Sequence, residues 1–222
     1  MSQRTHAFVP GEFYHVYNRG TDKRTIFLDD ADYRRFQVLL YLSNTEGSIN
    51  LRDLTKHKGS FYEQEVGRPL VAIGAYCLMP NHYHLLVTPL LDDGLSRFLQ
   101  KLATAYSMYF NKKYERTGTL FEGKFKSQIA TEDRYLKYLF SYIHLNPIKL
   151  IQSDWKEVGI RDSAAAGRYL STYKHSSYSE WVGEVRPEQV IVSKEPFPVY
   201  FESFTQAQNE IREWVEYSLG KT

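Results

Sequence analysis

The sequence predicts an α+β domain of the ferredoxin-like kind, an antiparallel sheet with helices packed on it, followed by a C-terminal extension. Three observations carry this. Strand and helix signals alternate as β-α-β-β-α-β-α over the first 150 residues. A Pro-Asn turn joins two apolar runs, "LVAIGAYCLM" and "HYHLLVT", into a hairpin. A long stripe at helical spacing follows that hairpin, where a split βαβ arrangement needs its second crossover.

The elements follow in order. The first strand is predicted at Phe13–Asn18, "FYHVYN", and stops at "RGTDKR", where Gly20 permits a turn. Asp29 and Asp30 open a helix running to about Leu42, with Tyr33, Phe36, Leu39 and Leu40 on one face. Residues 44–69 are polar, hold Gly47, Gly59 and Gly67, and read as an insertion. Leu70–Leu78 forms the second strand, Pro80 and Asn81 the turn, and His82–Thr88 the third strand. A helix from about Gly94 to Tyr114 buries Leu95, Phe98, Leu99, Leu102, Tyr106, Tyr109 and Phe110. Residues 120–130, "LFEGKFKSQIA", read as a fourth strand. Thr131 is expected to cap the next helix, with Glu132 and Asp133 in its first turn. That helix should end before Pro147, because proline disfavours helical geometry in the residue preceding it. The domain reading is a catalytic domain over 1–150 and an extension over 151–222, with 161–168 loop-like and 204–220 a final helix.

The chain has 222 residues, enough for one sizeable domain and a structured extension, and its 42% apolar and 24% charged content is that of an ordinary globular protein. With a net charge of +2 the chain as a whole is not a polyelectrolyte-binding tail. Charge is uneven, however. Residues 97–126 hold seven Lys or Arg against Glu115 and Glu122, an excess that suits a polyanion, whereas 184–222 hold seven Glu against four Lys or Arg. Cys77 is the single cysteine, so no internal disulfide forms; with no signal segment read at the start, a cytoplasmic location is expected. No apolar run approaches the roughly 18 residues of a membrane span.

Within this frame "MPNHYHLLV" stands out, because it places two imidazoles in an apolar strand. Side chains at i and i+2 of a strand share a face, so His82 and His84 project together and Tyr83 points away. Two adjacent imidazoles suit a borderline divalent metal such as Mn, Fe, Co, Ni or Zn; two histidines on a solvated sheet face are the alternative. In "SYIHLNP", Tyr142 and Asn146 are four apart and share a helical face. Asn146 offers a carbonyl oxygen to a metal, and Tyr142 a phenol that can attack phosphorus. Spacing alone does not separate Tyr142 from Tyr135 or Tyr138, and 18 tyrosines make each one weak evidence.

Four stretches in order, "YHVYNRG", "CLMPNHYHLLV", "LFEGKFKSQIA" and "YLFSYIHLNPIKL", resemble the REP-associated tyrosine transposases, relatives of the single-tyrosine HUH transposases of bacterial insertion sequences. The resemblance spans roughly residues 10–150. "HSSY" at 175–178 also resembles a serine-serine-tyrosine stretch of that family, with His175 where tryptophan is usual. The resemblance implies that His82, His84 and Asn146 bind Mg or Mn and that Tyr142 is the nucleophile. It implies cleavage and joining of single-stranded DNA beside a hairpin of REP type, through a 5′-phosphotyrosine link. It places recognition of a short guide sequence near Asn18, Arg19, Lys23 and Arg24. Lys124 and Lys126, two apart on the predicted fourth strand, share a side from which to reach DNA, and Lys101, Lys112, Lys113 and Arg116 are candidates for stem phosphates. Relatives act as monomers or as dimers that exchange the tyrosine helix, and the sequence does not choose.

Rival readings are weaker. A histidine-triad nucleotide hydrolase needs a third histidine where Leu86 stands. A two-histidine phosphodiesterase needs His-x-Thr or His-x-Ser, absent at 82–84. A non-catalytic nucleic-acid binder of the same sheet architecture is the remaining alternative.

Overall fold

The computed structural model describes residues 7–48, 60–200 and 206. The expected final helix over 204–220 lies outside the described residues, apart from that one position. Four strands form one antiparallel sheet in the order β2-β3-β1-β4: β1 is Phe13–Arg19, β2 Val71–Met79, β3 His82–Pro89 and β4 Lys126–Ala130. Helix α1 (Asp30–Leu42) links β1 to β2, and α2 (Gly94–Lys113) links β3 to β4. Each crossover skips one strand, so the fold is the split βαβ arrangement read from the sequence.

Helix α1 starts where its caps dictate. The Asp29 carboxylate accepts from the Asp32 backbone, and Asp32 reciprocates, forming a capping box. Both α1 and α2 press their stripes on one sheet face, with Phe36, Leu39, Phe98, Leu102 and Tyr106 packed against Val16, Tyr83 and Leu85. Tyr83 therefore points away from its histidine neighbours, as strand period requires. Fully buried Asp32 also gathers Lys113 Nζ at 2.7 Å and Tyr114 Oη at 2.8 Å.

The opposite face is covered by α3 (Asp133–Leu145), whose Leu136, Leu139, Phe140 and Ile143 lie on Ala75, Cys77, Met79 and Leu86. It stops at Leu145, and a 3-10 turn over Asn146–Leu150 takes Pro147 near its start. The expected Thr131 cap is not used. Glu132 holds the cap position without a side-chain bond, and Tyr200 Oη instead donates to Asp133 in the first turn. The fourth strand is shorter than expected: Gly123 at φ 69° breaks the run, leaving a lone bridge from Phe121 to Gly20 before β4 begins at Lys126.

The extension continues through α4 (Trp155–Val158), α5 (Ser163–Thr172) and α6 (Tyr178–Trp181). The loop reading of 161–168 is corrected by α5. Asp162 caps that helix by accepting from Ala165 N at 2.8 Å, and three consecutive alanines favour it. "HSSY" forms a strip along the β2 edge: Leu78 N donates to His175 O and Ser177 N to Tyr76 O, both at 2.9 Å. His175, standing in the tryptophan place, stacks on Tyr33 with ring centroids 3.9 Å apart. Further along, Trp181 Nε1 donates to Gly74 O at 2.8 Å, at an irregularity in β2 between Ile73 and Ala75. The buried Glu180–Arg186 pair is completed by contacts to Tyr76 and Ser176.

Candidate active site

β3 carries His84 opposite Tyr17 of β1 and Cys77 of β2, and His82 opposite Arg19 and Met79. All of these face α3. The two imidazoles have ring centroids 5.0 Å apart, with His84 buried and His82 at the strand mouth. The helix then brings Tyr142 to them, its ring 5.4 Å from that of His84 in the same chain. Three of the four expected chemical residues thus meet in a cleft of about 620 Å³, lined also by Tyr17, Lys23, Lys126 and Lys149. Tyr138 and Tyr135 lie one and two turns further back on α3, Tyr138 stacked on Tyr142 at 5.6 Å.

Asn146 is one helical turn beyond Tyr142 and buried, and it is not among the cleft-lining side chains. Its Nδ2 is buried without a hydrogen-bond partner. A half-turn of the amide exchanges nitrogen for oxygen, so this position can present a neutral oxygen donor.

The tautomer of His82 is fixed by a neighbour assigned only a turn role in the sequence. Asn81 Nδ2 donates to Lys23 O at 3.1 Å, which orients its Oδ1 toward His82 Nδ1 at 2.6 Å. That oxygen only accepts, so His82 Nδ1 carries the proton and Nε2 keeps its lone pair. A second unassigned residue, His15, supports the other imidazole: its Nε2 lies 2.9 Å from His84 Nδ1. With His84 Nδ1 donating, its Nε2 is free in the same way. Burial lowers His82 to about 4, with the charges of Lys149, Lys156 and Arg19 adding to the effect. Burial, followed by the other two histidines and the nearby lysines, holds His84 well below the ordinary range. Burial and Lys156 bring His15 to about 4. All three rings are therefore neutral near pH 7, the form in which imidazole ligates a metal. Two neutral imidazoles suit a borderline divalent metal, and the Asn146 carboxamide oxygen would add a third neutral donor.

The expected DNA contacts divide. Asn18, Arg19, Lys23 and Lys126 line the histidine cleft. Arg19 is engaged there by both oxygens of Glu122. Arg24 lies outside and bonds Thr21 O at 2.9 Å. Lys124 does not share a side with Lys126: it precedes the strand and lines a separate groove with Gln100, Thr104 and Phe125 on the α2 side. Two stem candidates have internal partners, Lys101 on the carbonyls of Thr45 and Gly47, and Lys113 on Asp29 and Asp32. Lys149 enters the cleft from the 3-10 turn and was not singled out in the sequence; its place just after "HLNP" was the available signal.

Among the described residues no helix is long and apolar enough to cross a membrane. The family model described as IS200-like transposase matches residues 48–146. No curated protein matches the chain. Among solved structures, the fold is similar to that of a REP-associated tyrosine transposase bound to a REP hairpin, with 15% identity, a TM-score of 0.51, and coverage of 91% of this chain and 92% of that one. The chain is thus similar to the IS200-like transposases in sequence, across the span that holds His82, His84, Tyr142 and Asn146, and to a REP-associated tyrosine transposase in fold.

Proposed function

We propose that this protein cuts and rejoins single-stranded DNA beside a hairpin of REP type, using Tyr142 as nucleophile. The observation that carries the reading is the meeting of Tyr142 with the histidine pair, 5.4 Å from His84 between ring centroids, in one cleft of one chain. That arrangement supports attack in cis, without exchange of α3 between copies.

In the cutting step Tyr142 Oη bonds to the scissile phosphorus, and the bond from phosphorus to the 3′-oxygen breaks. The leaving oxygen takes a proton and becomes a 3′-hydroxyl, and the 5′ end stays on the tyrosine. Attack by the 3′-hydroxyl of another strand reverses these bonds, so joining needs no nucleotide triphosphate. His82, His84 and Asn146 would hold Mg or Mn, which would polarise the phosphate and offset its growing charge. Asn81 and His15 keep the two imidazoles turned so that an unprotonated nitrogen of each remains available. Lys23, Lys126 and Lys149 supply positive charge along the strand path, and Asn18 and Arg19 sit where a guide sequence would pass. Arg24 and Lys124 would contact DNA only beyond the cleft. Residues 1–150 would form the catalytic unit and 151–222 an extension, whose described part packs on the β2 edge and α3. A cytoplasmic setting suits the unpaired, buried Cys77.

The test is incubation with a single-stranded REP-type hairpin oligonucleotide and Mn. The expected product is a denaturation-resistant protein–DNA adduct, absent in Tyr142→Phe and in His84→Ala. An adduct surviving in Tyr142→Phe would remove the nucleophile assignment. A folded wild-type protein that binds the hairpin and never forms an adduct would leave a binding-only role.

A further inference from the structure

We infer that Lys156, from the extension, is a catalytic residue that holds the Tyr142 oxygen and carries the countercharge for it when its bond to phosphorus forms and breaks. The inference rests on the nucleophile reading above. Lys156 Nζ lies 2.9 Å from Tyr142 Oη and 4.1 Å from the centre of the same ring. Among the described residues it has no carboxylate partner within 4 Å. An ammonium left without a carboxylate and aimed at one phenol oxygen is free to respond to charge on that oxygen.

The placement is built rather than incidental. Lys156 sits on the single turn of α4, immediately after Trp155, which is 1% exposed and packs against Leu145 and Ile148 beyond the end of the tyrosine helix. Arg161 pairs with Asp154 on the other side of that turn. The lysine stem is therefore fixed at its base while its head reaches the Tyr142 oxygen. Ammonium hydrogens only donate, so the bond to Oη leaves that oxygen a lone pair for attack.

The chemistry asks for such a group twice. In cutting, the phenol proton passes to solvent and Oη attacks; Lys156 donates to the oxygen as it becomes anionic. In joining, the 3′-hydroxyl loses its proton and bonds to phosphorus, and the electron pair of the breaking bond returns to Oη. Lys156 then donates to the departing phenolate, which recovers a proton from solvent. A charge-assisted hydrogen bond of this kind shifts a rate on the order of 10- to 100-fold.

The experiment compares Lys156→Met and Lys156→Arg with wild type and Tyr142→Phe, in the full chain. Hairpin affinity is measured by titration, and adduct formation and its release by a 3′-hydroxyl strand at saturating protein. The expected result for Lys156→Met is affinity within about twofold of wild type, with both rates down on the order of 10- to 100-fold, and for Lys156→Arg substantial recovery of both. Wild-type rates in Lys156→Met, with no adduct in Tyr142→Phe, overturn this inference alone. Weaker hairpin binding with unchanged saturated rates also overturns it, because Lys156 would then be a phosphate contact. An adduct in Tyr142→Phe, or none in wild type, overturns the nucleophile reading and this one with it. Should Lys156→Met melt early, the Lys156→Gln variant replaces it in the same comparison.

Discussion

Replacing Ser177 by alanine tests how the tyrosine helix is held to the sheet. The Ser177 hydroxyl receives Tyr76 N–H at 2.8 Å and lies 2.8 Å from His144 Nε2, two residues beyond Tyr142 on α3. His144 also bonds the Phe140 backbone within its own helix, so Ser177 is its hydrogen-bond partner across to the sheet. Alanine would strand two groups at once, a strand N–H and an imidazole nitrogen, in a place where Ser177 is 0% exposed. Each costs about 1–3 kcal/mol when left buried and unpaired, so with partial relaxation the loss should be about 2–4 kcal/mol. For a chain of this size that corresponds to a fall in Tm on the order of 4–16 °C. Urea unfolding should show the lower midpoint with an unchanged slope, while Ser176→Ala, whose hydroxyl accepts only a long bond from Tyr178 N at 3.4 Å, should lose under about 1 kcal/mol. Equal midpoints for Ser177→Ala and wild type would refute the claim that this hydroxyl ties α3 to β2.

Four further outcomes are expected. His15→Phe should weaken Mn binding about 10- to 100-fold by calorimetry, since His84 loses the partner that orients it; unchanged affinity would remove His15 from the site. Gly74→Ala should cost about 1–3 kcal/mol, because the added carbon would lie 2.6 Å from the Phe197 ring, and much less in a Phe197→Ala background; equal losses in both would contradict the packing account. Lys113→Met should destabilise by about 1–3 kcal/mol, because the buried Asp32 carboxylate loses its ammonium partner and keeps only hydrogen bonds from Tyr109, Tyr114 and the Leu28 and Asp29 backbone, with no change in the salt dependence of hairpin binding; a stable variant with weakened binding would return Lys113 to the DNA surface. Stability should also fall in mild acid. Burial places His144 at about 3, and His15 and His82 at about 4, all below the unfolded value of 6.5. The unfolded chain therefore takes protons first. Stability is complete above about pH 6.5 and is lost as pH falls toward 4, by at most ~1.4 kcal/mol per histidine per pH unit. Denaturation midpoints that do not change between pH 7.5 and 5 would count against it.

Much of the scaffold was legible because it follows short-range rules. The Asp29 cap, the Pro80–Asn81 turn and the two-residue strand period set α1, the hairpin and the shared face of His82 and His84. The fourth strand was overextended because an apolar run was weighted above Gly123, whose positive φ interrupts it. Tyr142 was singled out from Tyr135 and Tyr138 by resemblance, since all three repeat along one helix. The supporting contacts were out of reach for another reason. His15 and His84 are 69 residues apart, His144 and Ser177 are 33 apart, and only the assembled sheet brings them together. Lys156 belongs with these, although just 14 residues separate it from Tyr142, because the intervening chain must first turn back at Pro147.

The strip at 175–177 has a meaning beyond bracing. It occupies the backbone donors and acceptors of Tyr76 and Leu78 on what would otherwise be the outer edge of a nine-residue, fully buried apolar strand. A fragment cut at residue 150 would uncover that edge. Its failure would therefore take the form of strand-to-strand association between copies, concentration-dependent and preceding any loss of the histidine pair. The extension thus acts as a guard against self-association as well as a neighbour of the reacting tyrosine.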